Sequence, residues 1–157
     1  MKAAVQRSLH FKPNVVLINA GTNDCARNID IENTGKRMRS LIESILNAEG
    51  MRQTVIVLST LIPSQERPIE KNRMSVNRQY RDLVVAMRNE GVSIFLADMD
   101  PEEPSPGHGW IKYPEDYKNG NNPPDPTHPN ESGYAKMAFV WFEAIEVAAK
   151  EHKIPDV

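Results

Sequence analysis

The stretch Val15-Val16-Leu17-Ile18, followed two residues later by Gly21-Thr22-Asn23-Asp24, decides the fold. A continuous apolar run rich in β-branched residues has the pattern of a strand covered on both faces. The polar cluster then falls at that strand's carboxyl end, the edge at which open α/β sheets usually carry their ligand sites. Two more runs repeat the pattern: Thr54-Val55-Ile56-Val57-Leu58, followed by a proline-bearing loop over 59–68, and Val92-Ser93-Ile94-Phe95-Leu96-Ala97, ending at Asp98.

Between these runs the period changes from two to three and four. Met38, Leu41, Ile42, Ile45 and Leu46 predict one helix face, begun near Glu32 and ended by Gly50. Val76, Tyr80, Leu83, Val84 and Met87 predict a second, closed by Gly91. Tyr134, Met137, Ala138, Trp141, Ile145 and Ala148 give the buried face of a last helix, with Asn130 or Ser132 as its cap. Ahead of the first strand, residues 3–11 read as the end of a helix, with Val5 and Leu9 on one side and Pro13 as its stop. A long irregular stretch over 99–130 carries most of the twelve prolines, and loops of that length inside a compact domain are usually functional or mobile. Strand and helix alternate three times, which predicts a parallel three-layer α/β sheet with right-handed crossovers.

Length and composition narrow the classes. The 157 residues fit a single domain spanning 1–157, large enough for a sizeable core. A hydrophobic fraction of 39% and a charged fraction of 25% are ordinary for a globular chain. A net charge of −2 with no basic stripe argues against nucleic acid. No apolar run approaches the roughly eighteen residues of a membrane span, and residues 1–8 lack the continuous apolar segment of a signal peptide. Cys25 is the single cysteine, so no internal disulfide forms and the compartment stays open.

The stretch with the clearest chemistry is Asp125-Pro126-Thr127-His128-Pro129-Asn130. Prolines hold the segment off the helical conformation. A carboxylate three residues ahead of the histidine can then reach Nδ1 and leave Nε2 to exchange protons, which is the acid-and-base half of a hydrolytic triad. Asn23 could donate its amide to a developing oxyanion. On spacing alone, a surface-turn histidine held by Asp125 remains an equal reading, and Asn23 by itself reads as an ordinary turn residue. In the three-layer arrangement Asn23, Asp98, Asp125 and His128 share one edge of the sheet.

Together these residues resemble the SGNH or GDSL-type hydrolases. Gly21-Thr22-Asn23-Asp24 is similar to the family's block with the oxyanion asparagine. Asp125-Pro126-Thr127-His128-Pro129-Asn130, with Gly133-Tyr134 and Met137-Ala138 behind it, is similar to the block with the catalytic acid and base. The resemblance implies a flavodoxin-like α/β/α fold, Asp125 as acid, His128 as base and Asn23 as oxyanion donor. It implies ester hydrolysis without cofactor or metal, on a small-molecule or polysaccharide ester. His128-Pro129-Asn130 with Gly133-Tyr134 looks most like the esterases that remove acetyl groups from plant polysaccharides. The family's nucleophile lies in a Gly-Asp-Ser segment, and a further oxyanion glycine follows its second strand, both upstream of the Gly-x-Asn-Asp block. Before Gly21 this chain offers Ser8 alone, beside Leu9-His10-Phe11, which does not match. The expectation is therefore an N-terminally truncated parallel sheet, silent by itself, with an exposed edge at Val15 to Ile18 that invites self-association. A non-catalytic carbohydrate-binding or interaction module that kept the fold is the alternative.

Other residues carry plainer expectations. Asp24 is expected to bond loop amides and hold Asn23, with Gly21 in the same supporting loop. Cys25 reads as a small buried filler whose thiol pKa is raised by Asp24, which argues against a nucleophile. His108 and Trp110 could line a substrate wall, though a tryptophan covering the core is the simpler reading. Asp24, Asp98, Asp125 and His128 match no metal-ligand spacing. Asn130-Glu131-Ser132 is a glycosylation sequon that overlaps the expected helix cap.

Overall fold

A computed structural model describes residues 9–103, 109–119 and 125–155. Its strands are β1 (Val15–Ile18), β2 (Val55–Ser59) and β3 (Ile94–Ala97), and its helices α1 (Thr22–Arg27), α2 (Thr34–Leu46), α3 (Arg67–Asn89) and α4 (Glu131–Lys150). The strands form one parallel sheet in the order β1-β2-β3, with Val15 opposite Val55 and Val57 opposite Phe95.

Alternation along β2 divides the core into two. Ile56 and Leu58 face α2 and α3, where they meet Ile42, Ile45, Val76, Tyr80 and Met87. Val55 and Val57 face the other way, with Phe95, Ala97, Ala144 and Ala148, so α4 covers that side. Successive side chains of a strand point to opposite faces, so one fully buried central strand supports both layers. The result is the expected three-layer α/β/α arrangement.

β1 departs from the expectation of a strand covered on both faces. It pairs with β2 alone among the described residues, and Leu17 is 47% exposed while Val15 and Val16 are half-buried.

Element boundaries differ in ways that have local causes. The helix at 3–11 falls mostly outside the described residues; Leu9–Phe11 forms a single tight turn. α2 starts at Thr34 after a short turn over Ile31–Asn33, and it ends at Leu46, before Gly50. Gly50 occupies the left-handed region at φ 78° within the turn that follows. α3 begins well ahead of Val76, at Arg67, with Pro68 in its first turn, where proline's missing N–H has no intrahelical acceptor to lose. In α4, Ala144 and Ala148 are buried, but Tyr134 and Ala138, expected on the buried face, are exposed. Neither belongs to the core that α4 builds with β2 and β3; Tyr134 borders a cavity instead.

Candidate active site

Asp125 and His128 meet through their short intervening turn. Asp125 Oδ1 accepts from the backbone amides of Thr127 and His128, both at 2.8 Å. The imidazole Nδ1 lies 2.9 Å from Oδ2 and 3.1 Å from Oδ1. One carboxylate thereby fixes both the backbone of the turn and the orientation of the ring. Burial works to raise the Asp125 pKa, but the two amides and the imidazole outweigh it, so the carboxyl stays below its ordinary range. A proton on Nδ1, donated to Asp125, would leave Nε2 as the nitrogen able to take another.

The turn is held from two sides. On one side Lys118 N donates to His128 O at 3.0 Å, Asp125 N to Lys118 O at 2.9 Å and Asn130 N to Asp116 O at 2.9 Å. Tyr117 and Pro129 complete an isolated antiparallel bridge. On the other side Gln65 N donates to Pro126 O at 2.9 Å, Ser64 Oγ donates to the same oxygen at 3.1 Å, and Thr127 Oγ1 donates to Glu66 Oε1 at 3.2 Å. Tyr117 ties the two flanks together by donating its hydroxyl to Pro63 O.

Beneath the turn lies a knot built on Asp116, whose side chain is buried. It accepts from Lys112 N at 2.7 Å, Ser132 Oγ at 2.8 Å and Lys136 Nζ at 2.6 Å. Burial again opposes ionisation, and these donors win, which holds Asp116 below the usual carboxylate range. Gly133 sits so close that an added Cβ would lie 2.3 Å from Asp116 O, which no side chain tolerates. Asn130 caps α4 by accepting from Gly133 N at 3.0 Å, while its Nδ2 donates to Glu115 O at 2.7 Å and Tyr117 O at 3.1 Å. The sequon nitrogen is thus committed inside the fold.

Asn23 enters from the opposite side, in the first turn of α1 rather than in a loop. The preceding Gly21 needs φ 127°, a conformation that strongly favours glycine, and its Cβ position would lie 3.0 Å from the Tyr80 hydroxyl. That hydroxyl donates to Ala20 O at 2.9 Å. Asn72 Nδ2 donates to Cys25 O at 2.9 Å and secures the helix from below. Asn23 itself is exposed. It borders, with Thr22, Ser64, His128 and Tyr134, a cavity of about 320 Å³.

The remaining expectations fare differently. Asp24 bonds a cation instead of loop amides: Arg37 reaches it at 2.9 Å and also Asp30 at 2.8 Å. Asp98 shares the sheet edge but not the cavity, being paired with Arg81 at 2.8 Å and with Thr60 Oγ1 at 2.9 Å. Cys25 is fully buried, and its thiol is pushed up to about 11, by burial first and by Asp24 second. His108 lies outside the described residues; Trp110 is 43% exposed and donates to Pro101 O at 3.0 Å. Sequence reasoning also missed a polar frame behind the cavity wall. Asn77 pairs with both Leu61 N and Leu61 O, at 2.8 and 3.0 Å, and Arg73 joins Glu70 and Asp100. Asn72, Arg73 and Asn77 are buried polar residues on the apolar-reading face of α3, and that conflict was the available signal.

A parallel three-layer α/β sheet with a paired carboxylate and imidazole at its carboxyl edge defines an SGNH-type hydrolase fold. The family model of GDSL-like lipases and acylhydrolases matches residues 1–140, and the chain belongs to that family. No curated protein matches. A Clostridium thermocellum family 3 carbohydrate esterase aligns with a TM-score of 0.67 at 18% identity, over 95% of this chain and 65% of that one. A GDSL-like lipase from Bacteroides thetaiotaomicron aligns with a TM-score of 0.60 at 21% identity, over 91% and 67%. A salicylyl-acyltransferase from a tetracycline biosynthetic pathway aligns with a TM-score of 0.63 at 18% identity, over 87% and 38%. At these identities the likeness concerns the fold, and the chain spans 65% and 38% of the esterase and the acyltransferase.

Proposed function

We propose that this chain carries the acid, the base and one oxyanion donor of a serine-dependent carboxylic ester hydrolase that acts on acetyl esters of carbohydrates. The observation that carries the reading is the Asp125–His128 pair, 2.9 Å apart, beside a cavity that Asn23 also borders. His128 Nε2 takes the proton of an attacking serine hydroxyl, and Asp125 stabilises the imidazolium that results. Asn23 Nδ2 donates to the tetrahedral oxyanion, a contribution of about 3 kcal/mol in comparable sites. Nε2 then returns the proton to the departing alkoxide, and water repeats the cycle on the acyl-enzyme.

The family's Gly-Asp-Ser segment does not occur among these residues. Ser64 borders the cavity, but its hydroxyl is engaged by Pro126 O and by Glu66 N, each at 3.1 Å. These 157 residues are therefore proposed to be silent by themselves. Hydrolysis of 4-nitrophenyl acetate tests both parts. No turnover above background is expected. Turnover that needs His128 would contradict the silence, and turnover that survives His128→Ala would remove His128 from the mechanism.

The exposed Tyr134 beside the cavity supports a second reading, a module that binds carbohydrate without chemistry. It expects sugar binding to persist even when a Gly-Asp-Ser segment is supplied and no ester is cleaved.

A further inference from the structure

Glu66 stands immediately before α3, yet its side chain makes no bond to the amides at that helix start. Its carboxylate turns instead toward the Asp125–His128 turn, where Oε1 accepts from Thr127 Oγ1 at 3.2 Å. Both residues line the cavity that His128 and Asn23 border. A carboxylate offers about four acceptor positions, and Thr127 is its hydrogen-bond partner among the described residues. Of the residues lining that cavity, Glu66 is the carboxylate and none is lysine or arginine.

Tyr134 supplies an independent observation. It is 50% exposed in the first turn of α4 and lines the same cavity, with Ile62, Pro63 and Met137 as apolar neighbours. An aromatic surface, a few hydroxyls and one carboxylate acceptor suit a molecule with apolar C–H faces and several O–H donors. The same lining disfavours an anion, because no lysine or arginine lines it to offset a second negative charge near Glu66.

We propose that Glu66 is the hydroxyl-accepting wall of the alcohol subsite, selecting neutral polyhydroxylated alcohols such as neutral sugars and rejecting acidic ones. This rests on the reading of the cavity as an ester-hydrolase site and adds to it the charge class of the alcohol. Sugar hydroxyls donate to Glu66 while a ring face lies against Tyr134.

The test is an amide NMR titration of the whole chain with two probes, a neutral xylo-oligosaccharide and an oligogalacturonide. The neutral probe is expected to shift the amides of Glu66, Thr127 and Tyr134, and the acidic probe is expected to leave them unmoved. Glu66→Gln keeps an acceptor for Thr127 and changes an exposed residue, so the fold survives. In that variant the neutral probe should bind about tenfold more weakly, the loss of a hydrogen bond to a charged group, and the acidic probe should now bind. Three results would overturn the proposal: no shift with the neutral probe up to about 10 mM, a Glu66→Gln affinity within about twofold of the parent, or equal binding of both probes by the parent. Failure of the hydrolase reading has a different signature, ester turnover indifferent to His128 while sugar binding at Glu66 persists.

Discussion

The two halves of the candidate site are built differently. The Asp125–His128 turn closes on itself through local bonds and is braced on one flank by Asp116, Tyr117 and Lys118 and on the other by the distant segment Ser64, Gln65 and Glu66. Asn23 rides on the six-residue helix α1 behind β1, a strand paired on one side alone among the described residues, with Leu17 47% exposed. Tyr80 and Asn72 anchor this half from below, and Arg37 holds Asp24 of the same helix. The acid–base half is thus braced from both sides, whereas the oxyanion half sits beside a strand paired on one side alone among the described residues.

The largest expected effect comes from breaking the knot under the turn. Gly133→Ala would set a methyl 2.3 Å from Asp116 O and 2.8 Å from Pro129 Cβ. A loss of about 3 kcal/mol is expected from such overpacking, read from urea unfolding, together with disorder of the His128 turn while α1 and β1 keep their native amide signals. If both halves collapse together, the division is wrong.

Asp116→Asn should cost about 2 kcal/mol, because it weakens a buried, triply bonded carboxylate and leaves Lys136 without its charge partner. Its pH dependence has a definite sign. The folded pKa of Asp116 is lowered, so its contribution is fully present above the unfolded value near 4 and is lost as pH falls through the folded value. Urea midpoints measured against pH should fall less steeply below about pH 4 in Asp116→Asn than in the parent.

At the other half, the smallest stability change and the clearest change in association are expected. Leu17→Lys places a charge on the exposed edge strand and should alter stability by about 0.5 kcal/mol or less. The parent is expected to self-associate with concentration in sedimentation velocity, and the variant to remain monomeric. Association unchanged by Leu17→Lys would remove β1 as the pairing surface.

Legibility in the sequence followed the range of the interactions. The run over 55–58 and the three-and-four spacing of Met38, Leu41, Ile42 and Ile45 report local periodicity, and the sheet and its two layers follow from them. Asp125 and His128 are three residues apart, so their contact is local as well. Asn130 was readable as a cap for the same reason. Asp116 was not, since its partners Ser132 and Lys136 lie across a long irregular segment with no periodicity. Arg37 reaching Asp24 and the Arg73 frame are contacts between separate elements, and charge type without geometry does not choose among such partners. Tyr134 fitted the helical period but faces a cavity, which period alone does not reveal.

The central claim is that Asp125 holds His128 with its proton on Nδ1, ready to accept another at Nε2. The most direct measurement is nitrogen-15 NMR of the His128 imidazole above about pH 8, where an ordinary histidine is neutral, in the parent and in Asp125→Asn. The account predicts the Nδ1–H tautomer in the parent and loss of that preference in the variant. An Nε2–H tautomer in the parent, or a preference indifferent to Asp125→Asn, would contradict it.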